Sequence, residues 1–179
     1  MEESSLLSQI GSVVASKCDE EKGISTCSVL LPEAIPQNST WSHISSSFYS
    51  TLYSDNRYRT GAKKKTMAEG LKEVTLVHEG CFEDVESRNA ELEAGKKLAK
   101  GIFLTKDIVN APHNVLNSLS LANAAKKIAA DSNGMLKCNI LDKKECEARG
   151  MGAYLGVARG SETEPQFIHL TYKSKGEIK

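Results

Sequence analysis

The chain has 179 residues, 40% of them hydrophobic, and its 23 Lys and Arg residues balance 23 Asp and Glu residues. This length supports one sizeable core or two small ones. Because the charges balance, the chain as a whole has no strong electrostatic field to attract a polyanion. This argues against nucleic acid or an anionic membrane surface as a partner. No apolar run approaches the roughly 20 residues that a membrane-spanning helix needs. The sequence therefore predicts a globular chain that binds neither nucleic acid nor membrane.

Cysteine usage and the first residues indicate the compartment. The cysteines are odd in number and lack the short CxxC spacing of a zinc site or redox pair; they are Cys18, Cys27, Cys81, Cys138 and Cys146. This pattern predicts reduced thiols in an intracellular compartment. Glu2 and Glu3 stand where a signal peptide carries positive charge, and no Arg-rich transit peptide is visible. The glycosylation triplet at residues 38–40 is interpreted as a chance match.

The first part of the chain alternates helical and strand patterns. Apolar residues at helical spacing predict a helix over residues 4–20, closed by Gly23. The β-rich segment Thr26–Leu31 predicts a strand. A second helix is predicted from Trp41, with its aromatic and aliphatic residues on one buried face. The candidate N-caps of that helix are Asn38, Ser39 and Thr40.

A basic connector, residues 60–70, separates that helix from the next strand. Its three consecutive lysines, Lys63–Lys65, are interpreted as a solvated loop rather than a phosphate-binding patch, because no aromatic residues are interleaved with them. A strand is predicted over residues 72–78 and ends at Gly80. From Asp84, the candidate cap, a long helix is predicted to run as far as residue 110.

The turn at residues 106–117 divides the chain. Pro112 has no backbone N–H and disfavours a helical conformation at the residue before it, so the long helix is predicted to end here. Asn110 and Asn114 flank the break, and their side chains are expected to bond to nearby backbone groups. The turn is therefore predicted to join two packed units.

The second unit also predicts an α/β arrangement. Ser118 or Ser120 is expected to cap a helix that stops at Asn133-Gly134, and a strand follows over residues 136–140. Asp142 is expected to cap a short helix. A glycine-punctuated stretch then leads to a strand over Gln166–Lys173, with close packing and turns expected between them. A helical crossover makes two such strands parallel.

No reaction centre is apparent from the residue pattern. The four histidines are scattered singly and are interpreted as packed or turn residues; they are His43, His78, His113 and His169. Ser161 lacks the context of a catalytic serine, and Cys146 is expected to be a buried structural thiol. The glycines between 150 and 160 match neither nucleotide-binding pattern. The pattern alone thus predicts an α/β scaffold with no catalytic, cofactor-binding or metal residue.

A specific order of motifs begins at the turn and runs almost to the end of the chain. KDIVNAPHNVLNSLSLANAAKKIA is followed by ILDKKECEARGMGAYLGVARGSETEPQFIHLTYK. This order resembles the junction region of the leucine aminopeptidase (cytosol aminopeptidase) family, especially its plant-type members. That family has a V-N-x-P-x-N turn, a helix, a strand, a G-M-G-A-x-L-x-V segment and a strand ending in Tyr-Lys. The matching positions are Val109, Asn110, Pro112, Asn114, residues 150–153, Leu155, Val157, Tyr172 and Lys173.

The resemblance implies a division of the chain and a function. Residues 1–83 would be the rear part of an amino-terminal α/β domain, and 84–111 a connecting helix and interdomain turn. Residues 112–179 would be the first βαβ elements of a catalytic α/β domain. Such enzymes are cytoplasmic or plastid homohexamers that use two divalent metal ions, Zn or Mn, to release amino-terminal residues from peptides.

The family's catalytic and metal-binding motifs, G-K-G and N-T-D-A-E-G-R, do not occur in this sequence. No catalytic or metal-binding residue is therefore carried over, and the chain is expected to be an inactive fragment of a metal-dependent aminopeptidase. The alternative is a non-catalytic interaction or assembly module derived from the same family.

Overall fold

A computed structural model of the protein describes residues 2–35, 40–79 and 84–173. The chain forms two compact units, residues 1–109 and 110–179. The predicted positions Asn38, Ser39, Gly80 and Cys81 lie outside the described residues. Each unit combines helices with a two-stranded sheet, which confirms the predicted α/β class.

In the part of the chain that the structure describes, unit 1 contains three α-helices and a parallel pair of strands. In chain order its elements are α1 (Glu2–Glu20), β1 (Thr26–Leu31), α2 (Ser42–Thr51), a 3₁₀ turn (Gly61–Lys63), β2 (Glu73–His78) and α3 (Val85–Asn110). The strands pair in register from Thr26 opposite Glu73 to Leu31 opposite His78. Helix α2 ends at Thr51, so it is shorter than the apolar pattern beginning at Trp41 predicts.

The core of unit 1 lies between one face of this sheet and the helices. Its buried members are Leu7, Leu31, Ile35, Trp41 and Ile44, with Ile10, Val29, Leu76 and Leu92 packed against them. Trp41 and Ile44 are each 3% exposed, which confirms the predicted apolar face. Alternate strand residues point away from this core, as the period of two requires.

Helix α2 lies unusually close to both of its neighbours. A Cβ at Gly11 of α1 would collide with the carbonyl oxygen of Ile44, and a Cβ at Gly95 of α3 would collide with that of Ser42. Glycine is therefore required at both positions, because any side chain would force the helix backbones apart.

Polar and aromatic contacts fasten α3 to α2. The Glu91 carboxylate accepts the Trp41 backbone N–H at 2.8 Å, and the Ser45 hydroxyl donates to the Leu92 carbonyl at 2.6 Å. Three cations of α3 lie over aromatic rings: Arg88 over Trp41 at 5.7 Å, Lys96 over Tyr49 at 5.7 Å and Lys106 over Tyr53 at 4.9 Å. These contacts run along most of the length of α2 and add cation–π attraction to apolar burial.

The basic connector, residues 60–70, is bound to the end of α1 through Asp19. Lys63, Lys64 and Lys65 are exposed, and the Lys65 ammonium lies 3.3 Å from the Asp19 carboxylate. The other oxygen of Asp19 accepts the Ala68 backbone N–H at 2.8 Å. Ala68 has a φ of 46°, a left-handed conformation that costs a non-glycine residue energy, so Asp19 holds a strained turn in place.

Unit 2 begins at the turn after α3. Its elements are α4 (Ser118–Asp131), β3 (Leu136–Leu141), α5 (Lys143–Ala148), α6 (Gly152–Ala158) and β4 (Phe167–Tyr172). Helix α3 ends at Asn110, two residues before Pro112, as predicted. Asn133 and Gly134 both adopt positive φ after α4, which confirms the predicted stop signal.

The prediction that the two strands of unit 2 are parallel is wrong. Strands β3 and β4 are antiparallel, with Leu136 opposite Tyr172 and Leu141 opposite Phe167. The connection, residues 142–166, is long enough for a crossover, but β3 ends at Leu141, directly opposite Phe167, where β4 begins. The connection therefore starts and finishes at the same end of the sheet.

Local structure differs from the prediction in three places. Asn117, not Ser118 or Ser120, caps α4: its side chain accepts from Leu119 and Ser120, and the Ser120 hydroxyl accepts the Asn117 N–H at 2.8 Å. The glycine-punctuated stretch forms α6 instead of turns alone. The N-cap of α2 is Trp41, without a side-chain cap bond. The predicted cap at Asp142 is confirmed, since its carboxylate accepts the Glu145 N–H at 2.8 Å.

Candidate functional site

A metal centre would need several ligating side chains close together. Among the residues that the structure describes, no group of three or more His, Cys, Asp or Glu side chains is placed to hold a metal ion. His113 is exposed in the turn after α3, and His169 is exposed on β4. His78 is buried, and its Nε2 lies 3.0 Å from the Ile35 carbonyl oxygen, which fits a role in packing.

The described thiols are free and suit a structural role. Cys146 is fully buried, with Sγ 3.9 Å from the Leu141 carbonyl oxygen. Burial, with a further contribution from a hydrogen bond with Cys27, raises the pKa of Cys18 to about 11. A thiol with that pKa is protonated near neutral pH and is a weak nucleophile.

Unit 2 contains an open groove of about 610 Å³ beside α5 and α6. Lys143 and Glu147 of α5 form one side, and Leu155, Gly156 and Arg159 lie on the other. Residues 161–165 close one end of the groove. The lining includes positive, negative and apolar side chains, so the groove presents a mixed surface.

The loop that closes the groove is held by local hydrogen bonds. The Ser161 and Thr163 hydroxyl oxygens lie 3.0 Å apart, and the Thr163 N–H donates to the Ser161 hydroxyl oxygen at 3.2 Å. The Ser118 hydroxyl donates to the Glu164 carbonyl at 2.6 Å, fixing the loop to the start of α4. Ser161 thus closes a turn, and its contacts are not those of an activated nucleophile.

Unit 1 contains a cavity of about 480 Å³ between α2, α3 and β2. Its floor is apolar and includes Phe48, Leu76 and Leu92, while Glu93 and Lys96 stand at its rim. Glu93 and Lys96 pair with each other at 3.3 Å. The lining can accommodate an apolar side chain or segment.

A polar network fixes the last turns of α3 to the loop after α2. The Tyr53 hydroxyl donates to the Asp107 carboxylate at 2.6 Å, and the Arg57 guanidinium donates to the Asp107 carbonyl at 2.7 Å. Arg57 also forms two side-chain bonds with Asp55, at 2.9 and 2.8 Å. These bonds lower the pKa of Asp55 to about 2, against a smaller opposing effect of desolvation. The network fixes the end of α3 immediately before the boundary between the units.

Sequence patterns missed this network. The Asp55 and Arg57 pair is separated by one residue, which gives a recognisable local signal. Tyr53 and Arg57 lie 54 and 50 residues before Asp107 in the sequence, so no local pattern could reveal their contacts with it. Similarly, Asn117-Ser-Leu-Ser120 carries the spacing of a capping box, but serine replaces the usual Glu or Gln at its fourth position.

Comparison with known proteins identifies the family of this chain. Residues 103–179 match the profile described as "Cytosol aminopeptidase family, catalytic domain". Over 180 aligned residues the chain is 37% identical to a "Probable cytosol aminopeptidase" of Prochlorococcus marinus (strain MIT 9312), an alignment that covers all of this chain and 34% of that protein. The chain belongs to the cytosol aminopeptidase family. A second relative, from Rippkaea orientalis, is 36% identical over 140 residues, covering 78% of the chain and 26% of that protein.

A solved structure shares the fold of this cytosol aminopeptidase chain. A mutant of tomato leucine aminopeptidase matches it with a TM-score of 0.82 and 26% sequence identity. The match covers 96% of the chain and 34% of the tomato protein. The chain thus spans about a third of the length of the relatives that it matches. Across the described residues, no helix is both long and apolar enough to cross a membrane.

Proposed function

We propose that this chain is one segment of a metal-dependent aminopeptidase that releases amino-terminal residues, leucine in particular, from peptides. The observation that carries this proposal is the match to the family's catalytic domain over residues 103–179. That match begins within α3 and includes all of unit 2. The segment therefore contributes an early part of a catalytic domain together with the unit that precedes it.

The residues of this chain serve as scaffold in this proposal. Two divalent metal ions, Zn or Mn, would supply a polarised water and a Lewis acid for peptide hydrolysis in the whole enzyme. The described residues do not fit such a centre, because they bring together no ligand set. We assign the metal ligands and catalytic groups to sequence outside this chain, and we derive no catalytic step from its own residues.

The proposed organisation follows the family. Residues 1–83 belong to the amino-terminal domain, 84–111 form the connecting helix and turn, and 112–179 begin the catalytic domain. The whole enzyme is a homohexamer in the cytoplasm, with the plastid as the second candidate compartment. The names of the bacterial relatives, cytosol aminopeptidases, support the first compartment.

Hydrolysis of leucyl amides by the purified chain tests the proposal. We expect no turnover with added manganese or zinc, because two-metal hydrolysis needs ligands that this segment lacks. A longer polypeptide that also carries the G-K-G and N-T-D-A-E-G-R motifs is expected to restore metal-dependent turnover. Turnover by rigorously purified chain would show that the catalytic groups lie within residues 1–179.

The second candidate function is a non-catalytic interaction or assembly module. It is favoured by the position of the catalytic-domain match, which leaves residues 1–102 in a separate compact unit. The encoding transcript distinguishes the two candidates. An open reading frame that continues past Lys179 into the two catalytic motifs supports the aminopeptidase, and a stop codon after Lys179 supports the module.

A further inference from the structure

The turn between α4 and β3 carries the dipeptide Asn133-Gly134. Both residues are exposed, and both have a positive φ, 51° for Asn133 and 81° for Gly134. Glycine and asparagine adopt this left-handed conformation at a lower cost than other residues, so they suit a turn that ends a helix. The same two residues carry the reacting groups of an intramolecular modification.

An asparagine that is followed by glycine cyclises with water as the only co-reactant. The backbone nitrogen of the glycine loses its proton and bonds to the carboxamide carbon of the asparagine, and ammonia leaves. Water then opens the succinimide ring. Cleavage of the newly formed bond gives aspartate, and cleavage of the original peptide bond gives isoaspartate. Glycine favours the cyclisation because it has no Cβ to obstruct the attacking nitrogen.

The structure leaves the reacting groups of this turn open. A Cβ built at Gly134 would meet no atom within 4 Å, so the space beside its backbone is empty of protein atoms. Among the described residues, neither the Asn133 carboxamide nor the Gly134 N–H forms a hydrogen bond with a partner. The carboxamide can therefore turn toward the glycine nitrogen without breaking another contact.

Asn114 shows which contacts protect an asparagine in a turn. It is exposed after α3, but the next residue, Val115, is β-branched, and its N–H donates to the Pro112 carbonyl at 2.9 Å. Attack by that nitrogen would break the hydrogen bond and press the stiff valine side chain against the carboxamide. The other described asparagines lie in helices or a strand or have hydrogen-bonded side chains; they are Asn56, Asn89, Asn110, Asn117, Asn123 and Asn139.

We propose that Asn133 is a site of spontaneous deamidation, which converts the turn after α4 into a mixture of aspartyl and isoaspartyl forms. This inference concerns a covalent modification and does not depend on peptidase activity. Either product places a carboxylate directly after α4, where Asp131 is already exposed and the described last turn contains no basic residue. A negative charge at this end of a helix is unfavourable, because the unpaired carbonyl groups there carry partial negative charge.

The modified residue lies within the contacts that join α4 to β3. The Ser132 carbonyl accepts the Met135 N–H at 3.1 Å, and the Ser132 hydroxyl oxygen accepts the Leu136 N–H at 2.9 Å. Residues 133 and 134 lie between these partners in the chain. Because isoaspartate inserts the side-chain methylene into the main chain, we expect both bonds to weaken and the end of α4 to open more often.

Peptide mapping of the purified chain after prolonged incubation at mildly alkaline pH tests the proposal. Trypsin cleaves after Lys127 and Lys137, so residues 128–137 form a peptide whose single asparagine is Asn133. We expect this peptide to gain the mass that accompanies replacement of NH by O and to become a substrate for protein L-isoaspartyl methyltransferase. The next peptide, residues 138–143, contains Asn139 of the paired strand β3 and should keep its mass.

Two glycine substitutions identify the reacting residue. Asn133→Gly removes the carboxamide and keeps a residue that accepts a positive φ, so isoaspartyl methylation should fall to the level of the chain before incubation. Asn114→Gly, the matched change in the turn after α3, should leave methylation unchanged. The proposal is overturned if residues 128–137 keep their mass, if methylation persists in Asn133→Gly, or if Asn114 is modified faster than Asn133.

Hydrogen exchange tests the effect on α4. Asn133→Asp reproduces the aspartyl product and should speed exchange in the last turn of α4 several-fold. Asn114→Asp adds the same charge at a distant turn and should leave exchange in the last turn unchanged. In incubated samples of the native chain, exchange there should rise with the isoaspartyl content. Equal exchange in the native chain and in Asn133→Asp would refute the destabilisation of α4.

Discussion

Substituting alanine for Gly95 should destabilise unit 1, although alanine is the better helix former. The added Cβ would collide with the Ser42 carbonyl oxygen and would lie 2.9 Å from the Ser42 carbonyl carbon. Favourable contacts between carbon atoms lie at about 3.5–4.0 Å, so α2 and α3 must separate by roughly 1 Å. Overpacking of this kind costs about 1–3 kcal/mol, and the helix propensity of alanine offsets about 1 kcal/mol.

Gly101→Ala is the matched control, because Gly101 lies on the same helix with no atom within 4 Å of the added Cβ. At the upper end of the overpacking cost, and after the offset from helix propensity, we expect Gly95→Ala to lower the free energy of unfolding by about 2 kcal/mol. We expect Gly101→Ala to raise the free energy of unfolding by about 0.5–1 kcal/mol. Urea titration followed by Trp41 fluorescence measures both under dilute conditions, since Trp41 is buried where α2 meets α3. Equal effects of the two substitutions would refute the close approach of α2 to α3.

Three further substitutions test separate contacts. Asn117→Ala should speed hydrogen exchange in α4 through loss of about 1 kcal/mol of capping energy, while Asn114→Ala, at an exposed turn position, should leave exchange unchanged. Asp55→Asn should lower the urea midpoint at neutral pH. The difference between this variant and the native chain should vanish as pH falls below 3.8 toward the folded pKa of about 2, because Asp55 of the native chain then loses its charge. Glu69→Gln, at an exposed position, is the control. Tyr53→Phe should cost about 1 kcal/mol by removing the hydroxyl bond to α3, again measured by urea titration.

Local signals in the sequence were sufficient to find most elements of the fold. Pro112 marked the end of α3, and Asp142 marked the start of α5, because both effects act within a few residues. The apolar spacing from Trp41 identified the buried face of α2 correctly. The compact units adjoin in sequence at residues 109 and 110, close to the break in helical pattern at Pro112, while the predicted domain bounds stay a prediction.

Strand direction and side-chain networks required the folded structure. The glycines of the segment after α5 favoured turns over the helix α6. The direction of β4 was wrong because the intervening helix was interpreted as a crossover between parallel strands. The Asp107 network depends on distant residues whose identities carry no spacing signal. For the candidate site, the sequence resemblance correctly identified the family, while the absence of a local catalytic pattern left all site residues unassigned.

The strained turn at Ala68 has a consequence for how the family's sequences vary. Asp19 and Ala68 are far apart in the chain, but the carboxylate of one holds the backbone of the other in a left-handed conformation. Glycine adopts that conformation without strain, so a relative with glycine at this turn has less need of an acid at the end of its first helix. Across relatives, the two positions should therefore covary, with glycine in the turn accompanying loss of the carboxylate.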